Sequence, residues 1–212
     1  TWWTIFNDPV LNALVQSAYE QNLSLRVTGI RILEARAQLG IAIGNQYPQT
    51  QQATGDATAQ KTSRNLPNAA SAERFAYVYD VGFDVAWELD FWGKFRRAVQ
   101  AGVADLQASI ADYDDNLVFL TSEVARVYIA LRTSEERLKV AYDNVRIQSE
   151  SLRLAQAQFD AGAVTGLDVF QSRGQLRTTE AAIPGFESDI RQAKNALAIL
   201  LGKLPGEIDA ML

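Results

Sequence analysis

The sequence has 212 residues, 48% hydrophobic and 21% charged, a composition that lets a chain bury a core and argues against disorder. With 20 Lys and Arg against 25 Asp and Glu, and no long basic run, nucleic acid is a poor partner. Cys and His are both absent, which removes disulfides, thiolate metal sites and the usual nucleophile-base pair; no enzyme, metal or cofactor is expected. No apolar run approaches the roughly 18 residues of a spanning helix, so any membrane is met through strands.

Residues 1–47 read as N-terminal helices. An aromatic lead-in, 1–6, is followed by Asp8 as N-cap and Pro9 at the first helical position, where its missing N–H costs nothing. A helix to about Gln21 is expected, with Val10, Leu14 and Ala18 on one face. Ser24 can cap a second helix carrying Val27, Ile30, Leu33, Ala37 and Ile41, ended by Gly44-Asn45 and Pro48.

Residues 48–91 read as a β-hairpin. Over 49–62, small Ala53, Gly55, Ala57 and Ala59 alternate with Thr54, Asp56, Thr58 and Gln60, a weak strand signal whose alternative is a polar loop. Residues 63–72, with Asn65, Pro67 and Asn68, supply the connection. Over 75–91 the alternation is cleaner: Phe75, Tyr77, Tyr79, Val81, Phe83, Val85, Trp87, Leu89 and Phe91 share one face, Asp80, Asp84, Glu88 and small residues the other. That run is about three times an ordinary strand, and roughly 10 tilted residues cross a bilayer. Carboxylates facing lipid are costly, so Asp80, Asp84 and Glu88 are expected to face a water-filled lumen. There they either bias passage toward cations or only keep the face wet. Tyr77, Tyr79, Phe83 and Trp87 are expected to face lipid, with aromatic girdles at the interfaces, and Asp90 to cap the helix that follows.

Residues 92–201 read as a long helical hairpin. Between Gly102 and Gly162 there is neither Gly nor Pro. Val99, Val103, Leu106, Ile110, Tyr113, Leu117, Leu120, Val124, Val127, Leu131, Ser134, Leu138, Ala141, Val145, Gln148, Leu152, Ala155 and Phe159 recur in four-three spacing, a coiled-coil stripe broken in character only at Ser134 and Gln148. At about 1.5 Å per residue such a helix spans on the order of 100 Å, which predicts an elongated protein. Asp112, Asp114, Asp115 and Asn116 read as a solvated helix face rather than a cation site.

Gly162 suits the left-handed residue that ends a helix, Thr165 with Asp168 forms a capping box, and Val164 with Val169 a hydrophobic staple. The turn at 162–167 therefore folds the helix back. The returning helix keeps its heptad at Val169, Leu176, Ile183, Ile190 and Leu197, and Pro184-Gly185 should kink or split it. Being half as long, the return arm leaves the first half of the long helix to the helix at 24–45, stacked end to end with it.

In this order, Trp2-Trp3 with Phe6-Asn7-Asp8-Pro9-Val10-Leu11, Asn22-Leu23-Ser24-Leu25 with Ala35-Arg36-Ala37, Trp87-Glu88-Leu89-Asp90-Phe91-Trp92-Gly93-Lys94, and the turn with Phe159, Gly162 and Val164-Thr165-Gly166-Leu167-Asp168-Val169 form one pattern. With Asn195-Ala196-Leu197-Ala198-Ile199-Leu200-Leu201-Gly202 and Pro205-Gly206 it resembles the N-terminal half of the outer-membrane efflux factors, the TolC-like channels and especially their lipoprotein branch. The resemblance implies a mainly α fold, a long coiled-coil hairpin plus shorter helices, with a two-stranded β-hairpin destined for a transmembrane barrel. It implies a homotrimer, each chain carrying two such halves, that forms a twelve-stranded barrel in the outer membrane and a helical tunnel in the periplasm. Such a trimer is the passive exit duct of a tripartite efflux pump, meeting a periplasmic adaptor protein and an inner-membrane transporter. Gly162, Val164, Thr165, Gly166 and Leu167 are then the adaptor-binding candidates: turning the chain explains Gly162 and Thr165, but not the solvent-facing pair Gly166-Leu167.

Only one half is present, so either the sequence is a fragment of a chain about twice as long, with 202–212 a linker toward the second repeat, or six copies close the barrel. The family's lipidated Cys would precede Thr1, and its constriction carboxylates belong to the other half. The alternative from another class is a soluble coiled-coil adaptor or scaffold without channel activity.

Overall fold

The computed structural model describes residues 2–63, 65 and 74–212. The connecting loop expected at 63–72 lies largely outside the described residues. A 3-10 turn at Trp2–Phe6 leads into α1 (Pro9–Gln21), α2 (Leu23–Gly44), β1 (Thr50–Lys61), β2 (Phe75–Ala86), α3 (Lys94–Asp160) and α4 (Gly166–Leu200), with a second 3-10 turn at Glu207–Ala210. The fold is mainly helical with one antiparallel hairpin. By internal contacts the chain forms two compact units, one of Thr1–Gly29 with Asp112–Leu212 and one of Ile30–Ala111, so the division runs through α2 and α3.

The first unit holds the core. Leu11, Leu14, Val15 and Ala18 of α1 bury against Leu120, Val124, Val127, Tyr128 and Leu131 of α3, with Leu197 of α4 and Leu201 closing the cluster. The heptad read from α3 is the buried stripe here, and each fully buried leucine contributes roughly 1.5–3 kcal/mol. At the head of α1, Asp8 accepts from the Val10 and Leu11 N–H groups at 2.8 and 3.2 Å, with Pro9 behind it. The cap of α2 is Asn22 rather than Ser24: its Oδ1 accepts from the Leu25 N–H at 2.8 Å while its Nδ2 donates to the Leu200 carbonyl, also at 2.8 Å. One amide thus satisfies the start of α2 and the end of α4, where the two were expected to stack. The final residues are packed: Ile208 is buried, Lys194 pairs with Asp209 at 2.8 Å, and Arg132 donates to the Leu212 carbonyl at 3.0 Å. Pro184 does not split the return arm. α4 runs through it for 35 residues, although Pro184 has no N–H to offer the Glu180 carbonyl.

In the second unit, α2 lies close against α3 at a glycine: a Cβ on Gly102 would stand 3.2 Å from Leu39 Cδ1. The strands pair antiparallel from Thr50 opposite Ala86 to Lys61 opposite Phe75. The second strand stops at Ala86, twelve residues long, although its alternation continues to Phe91. Two local demands end it. The Trp87 indole donates to the Gln46 carbonyl at 3.2 Å, and the Asp90 carboxylate turns in to accept from the Phe95 and Arg96 N–H groups at 3.2 and 3.0 Å, capping α3. Strand and helix are therefore joined by an irregular connector, 87–93, rather than running into one another.

The hairpin faces and the helical tip

The register sorts the hairpin into two faces. Phe75, Tyr77, Tyr79, Val81, Phe83 and Val85 stand opposite Lys61, Ala59, Ala57, Gly55, Ala53 and Gln51, so from Tyr77 to Phe83 bulky apolar groups lie beside small ones. On the reverse face Asp84 stands opposite Gln52, Gly82 opposite Thr54, Asp80 opposite Asp56 and Val78 opposite Thr58. Both faces are largely exposed in the single chain, Tyr79 and Val81 to 73% and 93%. Asp80 and Asp84 share the polar face with each other, and Tyr77, Tyr79 and Phe83 share the apolar one. Glu88 and Trp87 do not lie on the strand. Glu88 sits in the connector, its carboxylate 3.3 Å from Lys94 and its N–H donating to Gln49 Oε1 at 2.8 Å. For these two, strand alternation gives no facing, because capping and side-chain bonds set the backbone there.

Asp56 was missed by residue-type reasoning. It stands directly across from Asp80, two carboxylates on neighbouring strands, an arrangement that repulsion disfavours unless water and ions surround it. Thr58 donates to Asp56 Oδ2 at 2.7 Å. The signal was available: Asp56 is an even-numbered member of the weaker alternation. Among the described residues no group of three His, Cys, Asp or Glu side chains is placed to hold a metal. Asp112, Asp114 and Asp115 are exposed along α3.

At the other extreme of α3, the chain turns as its residues dictate. Gly162 has φ +75°, the Ala163 N–H donates to the Gln158 carbonyl at 2.8 Å and the Gly162 N–H to the Phe159 carbonyl at 2.9 Å, the paired bonds of a glycine-ended helix. Asp168 Oδ2 then accepts from both the Thr165 N–H, at 2.9 Å, and the Thr165 hydroxyl, at 2.7 Å. These bonds, hydroxyl first, hold the Asp168 carboxyl below its ordinary range. Val169 is buried and Val164 half-buried, as a staple requires. Gly166 is partly exposed, its Cβ position 3.7 Å from the Phe159 ring. Leu167 is exposed, and so is Phe170 on the next turn of the helix, with Arg173 5.7 Å from its ring. Phe170 was not singled out from the sequence.

Residues 14–203 match the family described as outer membrane efflux protein. The chain belongs to that family. It is 29% identical over 201 residues to the probable outer membrane lipoprotein SilC of Salmonella typhimurium, and 27% identical over 207 residues to the cation efflux system protein CusC of Escherichia coli K12. These alignments cover 95% and 96% of the chain but 42% and 44% of the relatives, so the chain spans less than half the length of each. Among solved structures, the outer-membrane channel OprN superposes with a TM-score of 0.82 at 33% identity, over 97% of this chain and 46% of that one. Family membership places the chain at the bacterial outer membrane, extending into the periplasm.

Proposed function

We propose that the chain is a half-repeat of a trimeric outer-membrane channel, the passive exit duct of a tripartite efflux pump, and that it performs no catalysis. The observation that carries this reading is the hairpin register: one face of aromatic and small apolar residues with Gln51 and Lys61 at its two ends, the other of Asp56, Asp80, Asp84, Gln52, Thr54 and Thr58 with Val78 among them. A wall of this kind separates lipid from water. A second apolar stripe on α3, Val140, Ile147 and Leu154 at seven-residue spacing, is exposed in the single chain and suits packing against further helices of a tunnel. The soluble-scaffold alternative leaves the aromatic face of β2 without a partner.

Asp56, Asp80 and Asp84 then line the lumen and favour cations, while Tyr77, Tyr79 and Phe83 meet lipid; Trp87 contributes from the connector at the membrane edge. At the tip, exposed Leu167, with partly buried Val164 and Gly166 close to it in the chain and Gly162 and Thr165 fixing the turn, receives the adaptor, which is driven by an inner-membrane transporter.

The test is conductance of the full-length chain in a planar bilayer. Ion-conducting insertion supports the duct; a trimer that stays soluble, without membrane association or conductance, overturns it. For docking, Gly166→Cys in an active pump is expected to crosslink to the adaptor, since its Cβ would meet only ordinary contact at Phe159; an active pump yielding no crosslink removes that assignment.

A further inference from the structure

The connector between β2 and α3 carries an arrangement that neither capping nor packing requires. The first turn of α3 contains Lys94, Arg96 and Arg97 and no acid. A helix N-terminus carries the positive end of the macrodipole and disfavours cations, so three of them there oppose the stability of the longest helix in the chain. Asp90 offsets part of this through its two backbone bonds, and its carboxylate lies 3.4 Å from Arg96. Lys94 faces Glu88 across an exposed 3.3 Å pair, which solvent screens and another anion can replace. Arg97 has a neutral side-chain partner, the Gln100 amide oxygen at 2.7 Å. Over 87–97 three cations thus meet two carboxylates, in a chain whose net charge is -5.

Beside these cations the chain presents its most exposed aromatic residue, Trp92, 98% accessible, with Phe91 at 78%. Neither ring is held by the fold, yet the backbone beneath them is fixed: Trp87 and Glu88 are bonded to Gln46 and Gln49, and Gly93 turns at φ +76°. A pair of outward aromatic rings on a fixed backbone, next to excess positive charge, is the composition of a membrane interface, where rings enter the headgroup layer and Lys or Arg meet phosphate.

We infer that Phe91, Trp92, Lys94, Arg96 and Arg97 form a binding surface for anionic phospholipid headgroups in the periplasmic leaflet, with Arg97 the principal phosphate contact. The occupant follows from charge complementarity and from continuity with the apolar face of β2, which ends five residues before Phe91. The inference rests on the outer-membrane reading and adds the lipid class to it. The cost of three cations at a helix start is then recovered when anionic headgroups neutralise them.

The test uses the full-length chain in vesicles of equimolar dioleoylphosphatidylglycerol and dioleoylphosphatidylcholine, with native mass spectrometry counting the lipids retained by the released trimer. Phosphatidylglycerol is expected to be enriched on the wild type. Arg97→Gln should lower that enrichment by about fivefold, the scale of one cation at an anionic surface, and Arg97→Lys should largely restore it. Inorganic phosphate at 10 mM should not displace the lipid. Equal retention of the two lipids, enrichment unchanged in both Arg97→Gln and the Lys94→Gln/Arg96→Gln/Arg97→Gln variant, or displacement by inorganic phosphate each overturns the inference. A chain that inserts and conducts without headgroup preference defeats this inference alone. One that enters neither lipid defeats the outer-membrane reading with it.

Discussion

Tyr128 donates its phenolic hydrogen to Asp8 Oδ2 at 2.7 Å, joining two residues 120 positions apart. The same carboxylate caps α1 through its other oxygen, and Arg132 Nε reaches the Tyr128 oxygen at 3.1 Å. Removing the cap with Asp8→Ala is expected to cost about 1–2 kcal/mol, and Tyr128→Phe about 1 kcal/mol. Because both remove one shared bond, the double variant should cost less than the sum, a coupling read from guanidinium unfolding followed by circular dichroism.

The same pair predicts a pH dependence. The Tyr128 hydroxyl is the main reason the Asp8 carboxyl sits below its ordinary value, helped by the Leu11 and Val10 N–H groups and the Arg132 charge against the opposing effect of burial. A carboxyl lowered on folding stabilises above its unfolded pKa of about 3.9, and that contribution disappears as pH falls through the folded value. The stability gap between wild type and Asp8→Ala should be constant from neutrality to about pH 5 and shrink below about pH 4. A gap that widens on acidification would contradict the assignment.

Two glycines should respond in opposite directions. Gly202 has φ +64°, and a Cβ there would lie 2.8 Å from the Gln21 carbonyl oxygen, which is backbone and cannot swing away. Gly202→Ala is expected to destabilise by about 2 kcal/mol or more, lowering the unfolding midpoint. Gly174 lies inside α4 with nothing within 4 Å of its Cβ position, so Gly174→Ala should stabilise by about 0.5–1 kcal/mol.

Gln148 buries its Oε1 with no hydrogen-bond partner among the described residues, within a stripe that is apolar except for it and Ser134. Gln148→Leu should relieve the desolvation and raise stability by about 1 kcal/mol, measured by the same unfolding curves.

On the proposed duct function, Asp56→Asn and Asp80→Asn should each lower the cation preference of the full-length chain, seen as a smaller reversal potential in a salt gradient. Similar effects are expected, because the two stand opposite one another. Either change also removes like-charge repulsion worth roughly 0.2–1 kcal/mol.

Much of this architecture was legible because it rests on repeated or strongly local signals. The stripe through Leu120, Val124, Val127 and Leu131 is periodic over many turns, and Gly162, Thr165 and Asp168 specify their turn within seven residues. What escaped depended on distant partners. Asn22 is chosen over Ser24 as the cap because its amide also reaches Leu200, 178 positions away. Ile208 falls in the segment expected as linker yet is buried in the core, and the charge of Asp56 matters through its register partner Asp80. The alternation past Ala86 misled because periodicity carries no information about an indole bonded to Gln46 or a carboxylate needed by α3. Pro184 does not split α4, because a helix continues through the loss of a single N–H donor.

The two-stranded sheet also bears on how such a chain survives before it is assembled. Among the described residues β1 and β2 pair only with each other, so each twelve-residue strand keeps an outer rim of unclaimed N–H and C=O groups. The correctly folded chain, and not only its unfolded form, is therefore a template for uncontrolled stacking. Covering either rim takes a further strand, so the sheet is complete only where other strands pair along both of its edges.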